Sequence, residues 1–359
     1  MQAGLKALLE PLPIALLTLL LAGCDSLSYY GQAIAGQMSL LQQRQDIAEL
    51  LKDPALSAPT RHQLTLVLEL RQFAEHELHL PAGKHYSTYV DLHREFVVWN
   101  VFAAPGFSLE PVKWCYPVAG CAGYRGYFAE SDAKDFAARL QQQGFDTYVG
   151  GVSAYSTLGW FNDPVPSSML RHDDAQLAGT IFHELAHQLL YVSGDTGFNE
   201  SFATLVEQEG QQRWLRTLPD ASGQQQALVE LHASRLQQQQ FVALVLQTTR
   251  ELGELYKQKL PVAEMHSRKA EIQSTLRQRY QVLKAAWNGY NGYDRWFAAD
   301  LNNAQLATIT TYNQWVPALQ ELLRRQSGDL PRFYDAARQL SRLSSAEREQ
   351  KLRELLPVQ

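Results

Sequence analysis

FHELAHQLLYVSGDTGFNESFA, residues 182–203, places two histidines four apart, a glutamate beside the first, and a second glutamate thirteen residues after the last histidine. On an α-helix, positions four apart share a face one turn apart. His183 and His187 can therefore direct imidazole nitrogens at a single ion about 2.0–2.1 Å away. Glu184 is turned about 100° round the helix, beside the ion rather than on it. The flanking Thr180, Ile181, Leu185, Ala186 and Leu189 are uncharged, as a helix buried against other elements requires. By average composition the His-Glu-x-x-His pattern arises by accident in about one chain in a hundred of this size.

Glu200 supplies the third ligand in this reading. It follows a turn marked by Gly194 and Gly197, after which a second helix running back can aim it at the same ion. Glu207 lies two turns further along that face and can accept a hydrogen bond from a ligating imidazole. The competing reading leaves both glutamates facing solvent. Zinc in such a site lowers the pKa of a bound water from about 15.7 toward 7, and Glu184 is the base beside it.

Outward from this stretch the pattern is α+β and predominantly helical, with a small mixed sheet and a C-terminal helical region. Helical spacing runs from Tyr29 to Asp53-Pro54, and Ser57 opens a second helix through about Leu80. From Tyr86 to Phe128 branched and aromatic runs bounded by Pro and Gly predict strands. Ser131 is expected to cap a helix through Gln143, with Gly144 as its stop and FDTYVGGVSAYST as one more strand. Asp173 and Asp174 open the site helix to about Val192, Gly194 breaks it, and the Glu200 helix is expected to end near Gly210. Beyond it, leucine periodicity with a break at KLPVAEM predicts a helical hairpin, followed by an aromatic loop and further helices.

The chain has 359 residues, 45% hydrophobic and 19% charged, with a net charge of -5. That excludes a disordered chain, and no positive field invites nucleic acid. Peptides or small molecules fit better, and no protein partner is identifiable. Lys6, a short apolar run and Leu-Ala-Gly-Cys at 21–24 resemble a bacterial lipobox, which implies a signal peptide over 1–23, lipid on Cys24 and a membrane tether. Asp25 after that cysteine resembles the signal for retention in the inner membrane, facing the periplasm; the outer membrane is the alternative. Cys115 and Cys121 can bridge around the turn that Pro117 and Gly120 invite, and an oxidising compartment lets them pair. Two free thiols are the other possibility. Residues 24–359 then form one domain, with N-terminal helices over 25–85, sheet and site helices over 86–210, and the helical hairpin and C-terminal helices over 211–359.

HELAH followed by NESFATLVE resembles the gluzincin metallopeptidases, in which a glutamate on the next helix completes the metal site. The whole chain is similar to a group of bacterial predicted-aminopeptidase lipoproteins, through YYGQAIAGQ, WCYPVAGCAGYRGYF, AYSTLGWFNDP, FHELAHQLLY, FNESFA and LNNAQLATITTYNQWVPA. The resemblance implies a zincin-like core, one zinc per chain and peptide-bond hydrolysis, with His183, His187 and Glu200 as ligands and Glu184 as base. The Gly-x-Met-Glu-Asn segment of well-studied aminopeptidases is absent, and only twelve residues separate His187 from Glu200. No glutamate is thereby assigned to a substrate's free amino end. Endopeptidase action stands beside aminopeptidase action, and a non-catalytic zinc-binding lipoprotein is the competing class.

Around the site, GGVSAYST is a candidate edge strand for holding an extended peptide, with Gly150 and Gly151 allowing close approach and Tyr155 beside them. Tyr312, Tyr155 and Tyr191 are candidates to stabilise a developing oxyanion, and Tyr312 is preferred. Core packing with a satisfied hydroxyl is the plain alternative for each. The HELH at 76–79 spaces its histidines three apart in a charged stretch and reads as a solvated helix face. His172 reads as a loop or cap residue.

Overall fold

The computed structural model describes residues 11–116, 120–157 and 160–356, and side chains from residue 27 onward. The signal-peptide start at 1–10 and the Cys24 side chain lie outside the described residues. The chain begins with α1 (Pro11–Gln43), β1 (Gln45–Asp46), α2 (Ile47–Leu50) and α3 (Ala58–His76). The helical run expected up to Asp53 is therefore broken at Arg44. Gln45 and Asp46 pair instead with Tyr89 and Thr88 of β2 (Thr88–Val90), and the Asp46 side chain caps α2. Ser57 caps α3 by accepting from Thr60 N. That helix stops short of Leu80, where His79 takes a positive φ of 54° and lets Leu78 and Leu80 turn into the core.

The strands β3 (Val98–Pro105), β4 (Trp114–Tyr116), β5 (Gly120–Ala122) and β6 (Arg125–Tyr127) follow, then α4 (Glu130–Gln142) and β7 (Phe145–Val152). β3 is the centre of an antiparallel three-stranded sheet ordered β6-β3-β7. Its alternation separates two faces. Trp99, Val101 and Ala103 pack on Phe136, Ala137 and Leu140 of α4, whereas Phe102 and Ala104 meet Ala304 on the opposite side. Burial on both faces explains why the run is apolar apart from Asn100. Ser131 is not the cap of α4: Ala129 holds that position with no side-chain bond, and Glu130 and Asp132 complement the first turn. β8 (Val165–Pro166) runs parallel to β2, so the β1-β2-β8 sheet is the mixed one; β4 and β5 form a separate hairpin closed by a Cys115–Cys121 disulfide.

The main core is helical. α5 (Asp174–Leu189) and α6 (Thr196–Leu215) pack against each other and against α3, through Phe182, Phe198, Phe202 and Leu185. Asp173 caps α5 by accepting from Gln176 N, and the helix ends at Leu189, a turn before Val192. α6 runs past Gly210, contrary to the expected stop. A Cβ there would lie 2.6 Å from Phe182 Cδ2 and 2.8 Å from Leu78 Cδ1, so the glycine lets the helices approach rather than ending one.

The expected hairpin is α7 (Ala221–Tyr256) and α8 (Val262–Ala286). Its inner face gathers Phe241, Tyr280 and Leu276 with Phe297 of α9 (Asp294–Ala298). α10 (Asn303–Asn313), α11 (Val316–Arg325), α12 (Leu330–Ser341) and α13 (Ser345–Leu355) complete the chain. Lys269 of α8 bonds Asp146 at 2.7 Å, and the same carboxylate accepts from Asn303 N at 3.0 Å. One half-buried acid thus ties the hairpin and α10 to β7. Among the described residues no helix is long and apolar enough to cross a membrane.

Candidate metal centre and cleft

Local hydrogen bonds define the turn between the two site helices. Gly194 turns the chain with φ +82°, a conformation that costs a glycine little. Asp195 then caps α6 by accepting from Phe198 N at 3.0 Å, and is itself held by Arg348 of α13 at 2.6 Å. Asn199 bonds both backbone groups of Val192, its amide donating to the carbonyl and its Oδ1 accepting from the N–H. That clamp fixes the rotation of α6, and hence where the next residue, Glu200, points.

His183, His187 and Glu200 converge. Glu200 Oε2 lies 3.3 Å from His183 Nε2 and 3.6 Å from His187 Nε2, and the three ligand atoms lie within 4.8 Å of one another. Two ligands at about 2.0–2.1 Å on a tetrahedral ion would be about 3.4 Å apart, so these donors fit zinc. The hydrogen bonding points the same way. Glu207 Oε2 accepts from His183 Nδ1 at 3.1 Å, which leaves a lone pair on Nε2 facing a carboxylate oxygen. Two acceptors so close need a cation or a proton between them. Burial pulls the His183 imidazolium down, yet Glu200 and Glu207 hold it well above its ordinary value. Burial alone would raise the Glu200 carboxyl, but His187 and His183 bring it to about 2.

Glu184 is buried beside this set without joining it. Burial pushes its carboxyl up; the two histidines oppose that, while Glu200 and Asp163 reinforce it. All four of these side chains line a cleft of about 1050 Å³. Gly151 and Tyr155 line it too, on and just beyond β7, which has β3 as its only strand neighbour among the described residues. Gly150 does not line it, and a Cβ there would lie 3.1 Å from the Tyr148 ring. The Tyr155 hydroxyl donates to Gln37 of α1.

Tyr312 and Tyr191 line the cleft as well. Tyr312 is placed by α10, whose end is tied to α6 through Ser201: its hydroxyl donates to Tyr312 O and accepts from Trp315 N. Burial, then Glu200, Tyr124 and Glu184, raise the Tyr312 phenol well above its ordinary value. Tyr124 is the residue that sequence reading missed. It lines the cleft just before β6, packs on Phe102 at 5.6 Å, and is raised by burial, Glu200, Tyr191 and Glu184. A tyrosine in a loop near two cysteines carries no local signature of this placement.

The disulfide hairpin reaches the turn between the two site helices directly. A Cβ on Gly120 would lie 2.8 Å from Gly194 N and closer still to the Ser193 hydroxyl, so the start of β5 rests on the α5–α6 turn. His172 bonds Gln176 and Ser153 and lines the cleft. His76 and His79 belong to no candidate metal set among the described residues.

No curated protein and no solved structure matches the chain. Residues 28–352 match the family model described as "Putative aminopeptidase", a span that takes in the cleft, both site helices and the C-terminal helices, and the chain belongs to that family.

Proposed function

We propose that the protein is a zinc-dependent aminopeptidase, tethered to the membrane through Cys24 and facing the periplasm. The observation that carries this reading is the meeting of His183 Nε2, His187 Nε2 and Glu200 Oε2 inside a cleft where Glu184 is buried beside them. Zinc bound there would polarise the scissile carbonyl and lower the pKa of water. Three protein ligands fit a catalytic rather than a structural site, which usually has four.

The chain's own residues do the rest. Glu184 takes a proton from the attacking water and returns it to the leaving amine, a role for which its burial-raised carboxyl is suited. Glu207 holds the His183 ring and its tautomer. The Tyr312 hydroxyl donates to the oxyanion as it forms. The free edge of β7, with Gly151 and Tyr155 along the cleft, pairs with an extended peptide. The Cys115–Cys121 bond supports an oxidising compartment, and the Leu-Ala-Gly-Cys segment supports the anchor.

The test is a peptide library offered with free and with blocked amino ends to the zinc-loaded protein. Cleavage confined to free amino ends is expected. Cleavage of blocked peptides would make it an endopeptidase, and no cleavage at all would overturn the enzymatic reading. Glu184→Gln should keep one zinc per chain while losing at least 100-fold in kcat, the usual scale for a removed acid–base group. Palmitate labelling that disappears in Cys24→Ala tests the anchor.

A further inference from the structure

The outward face of α1 is unlike the solvent face of an ordinary surface helix. Ser26 through Gln43 contain no charged residue. The face turned away from the protein carries Leu27 at 75% exposure, Tyr30 at 38%, Ile34 at 63% and Met38 at 44%, spaced to form one stripe, with only small residues between them. From Leu27 to Met38 the stripe is about 17 Å long at 1.5 Å per residue. A helix that is apolar on the side away from the fold requires a covering phase. Its other side is firmly docked: Gln32 bonds Gly126 O and Phe128 N at the β6 edge, and the Phe128 ring occupies the space beside Gly36. α1 is therefore a fixed part of the domain, not a trailing linker.

We infer that this stripe lies in the surface of the lipid bilayer and seats the enzyme flat on the membrane, with the cleft mouth at headgroup level. The occupant is identified by continuity. Cys24 precedes Leu27 by one helical turn on the same helix, so a lipid attached there would hold the stripe against the bilayer. Tyr29, Tyr30 and Ala33 of that helix line the cleft, and Tyr30 belongs to both stripe and rim. Tyrosine is a residue favoured at a membrane interface. The absence of lysine and arginine from this face means that binding is apolar and independent of anionic lipid. Peptides lying on or anchored in the membrane surface are then the substrates with easiest access. This inference rests on the proposed Cys24 anchor and not on catalysis.

The test uses the lipid-bearing protein in phosphatidylcholine vesicles. Ile34→Cys, Met38→Cys and, as a control, Val282→Cys carry a nitroxide; position 282 is 70% exposed on α8, and Cys115 and Cys121 are bonded to each other. Labels at 34 and 38 should be at least tenfold more accessible to oxygen than to a water-soluble nickel chelate, relative to the label at 282. A label at 34 as open to the chelate as that at 282 overturns the inference. So does a label shielded from both reagents with broadening between copies, which would assign the stripe to a second copy of the chain. Neither readout depends on peptide cleavage, and palmitate labelling of Cys24 separates loss of the anchor from failure of the surface.

Discussion

Asn199 holds Val192 by both backbone groups, at 2.8 Å each, and so locks the turn between the helix that bears both histidines and the helix that bears Glu200. Asn199 is buried, so its replacement by alanine removes both hydrogen bonds to Val192 from the interior, a loss of about 1–3 kcal/mol. Asn199→Ala should lower Tm and weaken zinc binding together. Asn199→Asp keeps the acceptor but sets a carboxylate against the Val192 carbonyl, and should be no better. Thermal unfolding with and without zinc reads both effects; unchanged zinc affinity in a folded Asn199→Ala protein would remove the clamp from the site's construction.

Glu207 is one-third exposed and stands outside the apolar clusters, so it can be changed at modest cost to the fold. Glu207→Ala should weaken zinc binding about 10- to 100-fold, the scale observed when a carboxylate behind a ligating histidine is removed. Competition with a chromophoric chelator measures it. Glu207→Gln, which can still accept from Nδ1, should recover part of the loss.

Two phenols, Tyr312 and Tyr124, share the carboxylates of Glu184 and Glu200 as neighbours. Tyr312→Phe should lower kcat about 100-fold with KM little changed, as expected for a lost oxyanion donor. Tyr124→Phe should have the smaller effect. A reversed order would transfer the role to Tyr124.

At Gly210 the space for a side chain is already filled by Phe182 and Leu78. Gly210→Ala should destabilise the protein by about 1–3 kcal/mol through overpacking. The displaced Phe182 neighbours His183, so zinc affinity should fall with stability. A Tm equal to that of the parent protein would show that the two helices can slide apart freely.

Cys115 and Cys121 are only six apart in sequence, so the entropic contribution of the bond is about 2 kcal/mol. Its larger effect should be on the cleft, because the hairpin carries Tyr116 into the cleft wall, leads on to Tyr124, and abuts Ser193 and Gly194. Reduction, or Cys115→Ser with Cys121→Ser, should lower kcat/KM at temperatures well below Tm. Activity unchanged by reduction would leave the bond a purely stabilising one.

Elements whose signals are local were legible in the residues themselves. The helix starts at Ser57 and Asp173, the turn at Gly194 and the hairpin around KLPVAEM all appear where the spacing predicts them. At Ser131 the cap falls two residues earlier, at Ala129. Local propensity makes Gly210 a stop and the run through Arg44 unbroken, whereas a distant partner decides both. Phe182 and Leu78 claimed the space at Gly210, and β2 claimed Gln45 and Asp46.

By itself the sequence determined that His183 and His187 share a helical face with Glu184 turned aside, since the hydrogen bonds that set a helix's period join residues only four apart. The tertiary structure alone decided that Tyr124, Tyr312, Gly151 and Tyr29 and Tyr30 of α1 line one cleft with those histidines. They come from segments far apart along the chain, and what brings them together is the burial of side chains between elements, a non-local balance that no short spacing encodes.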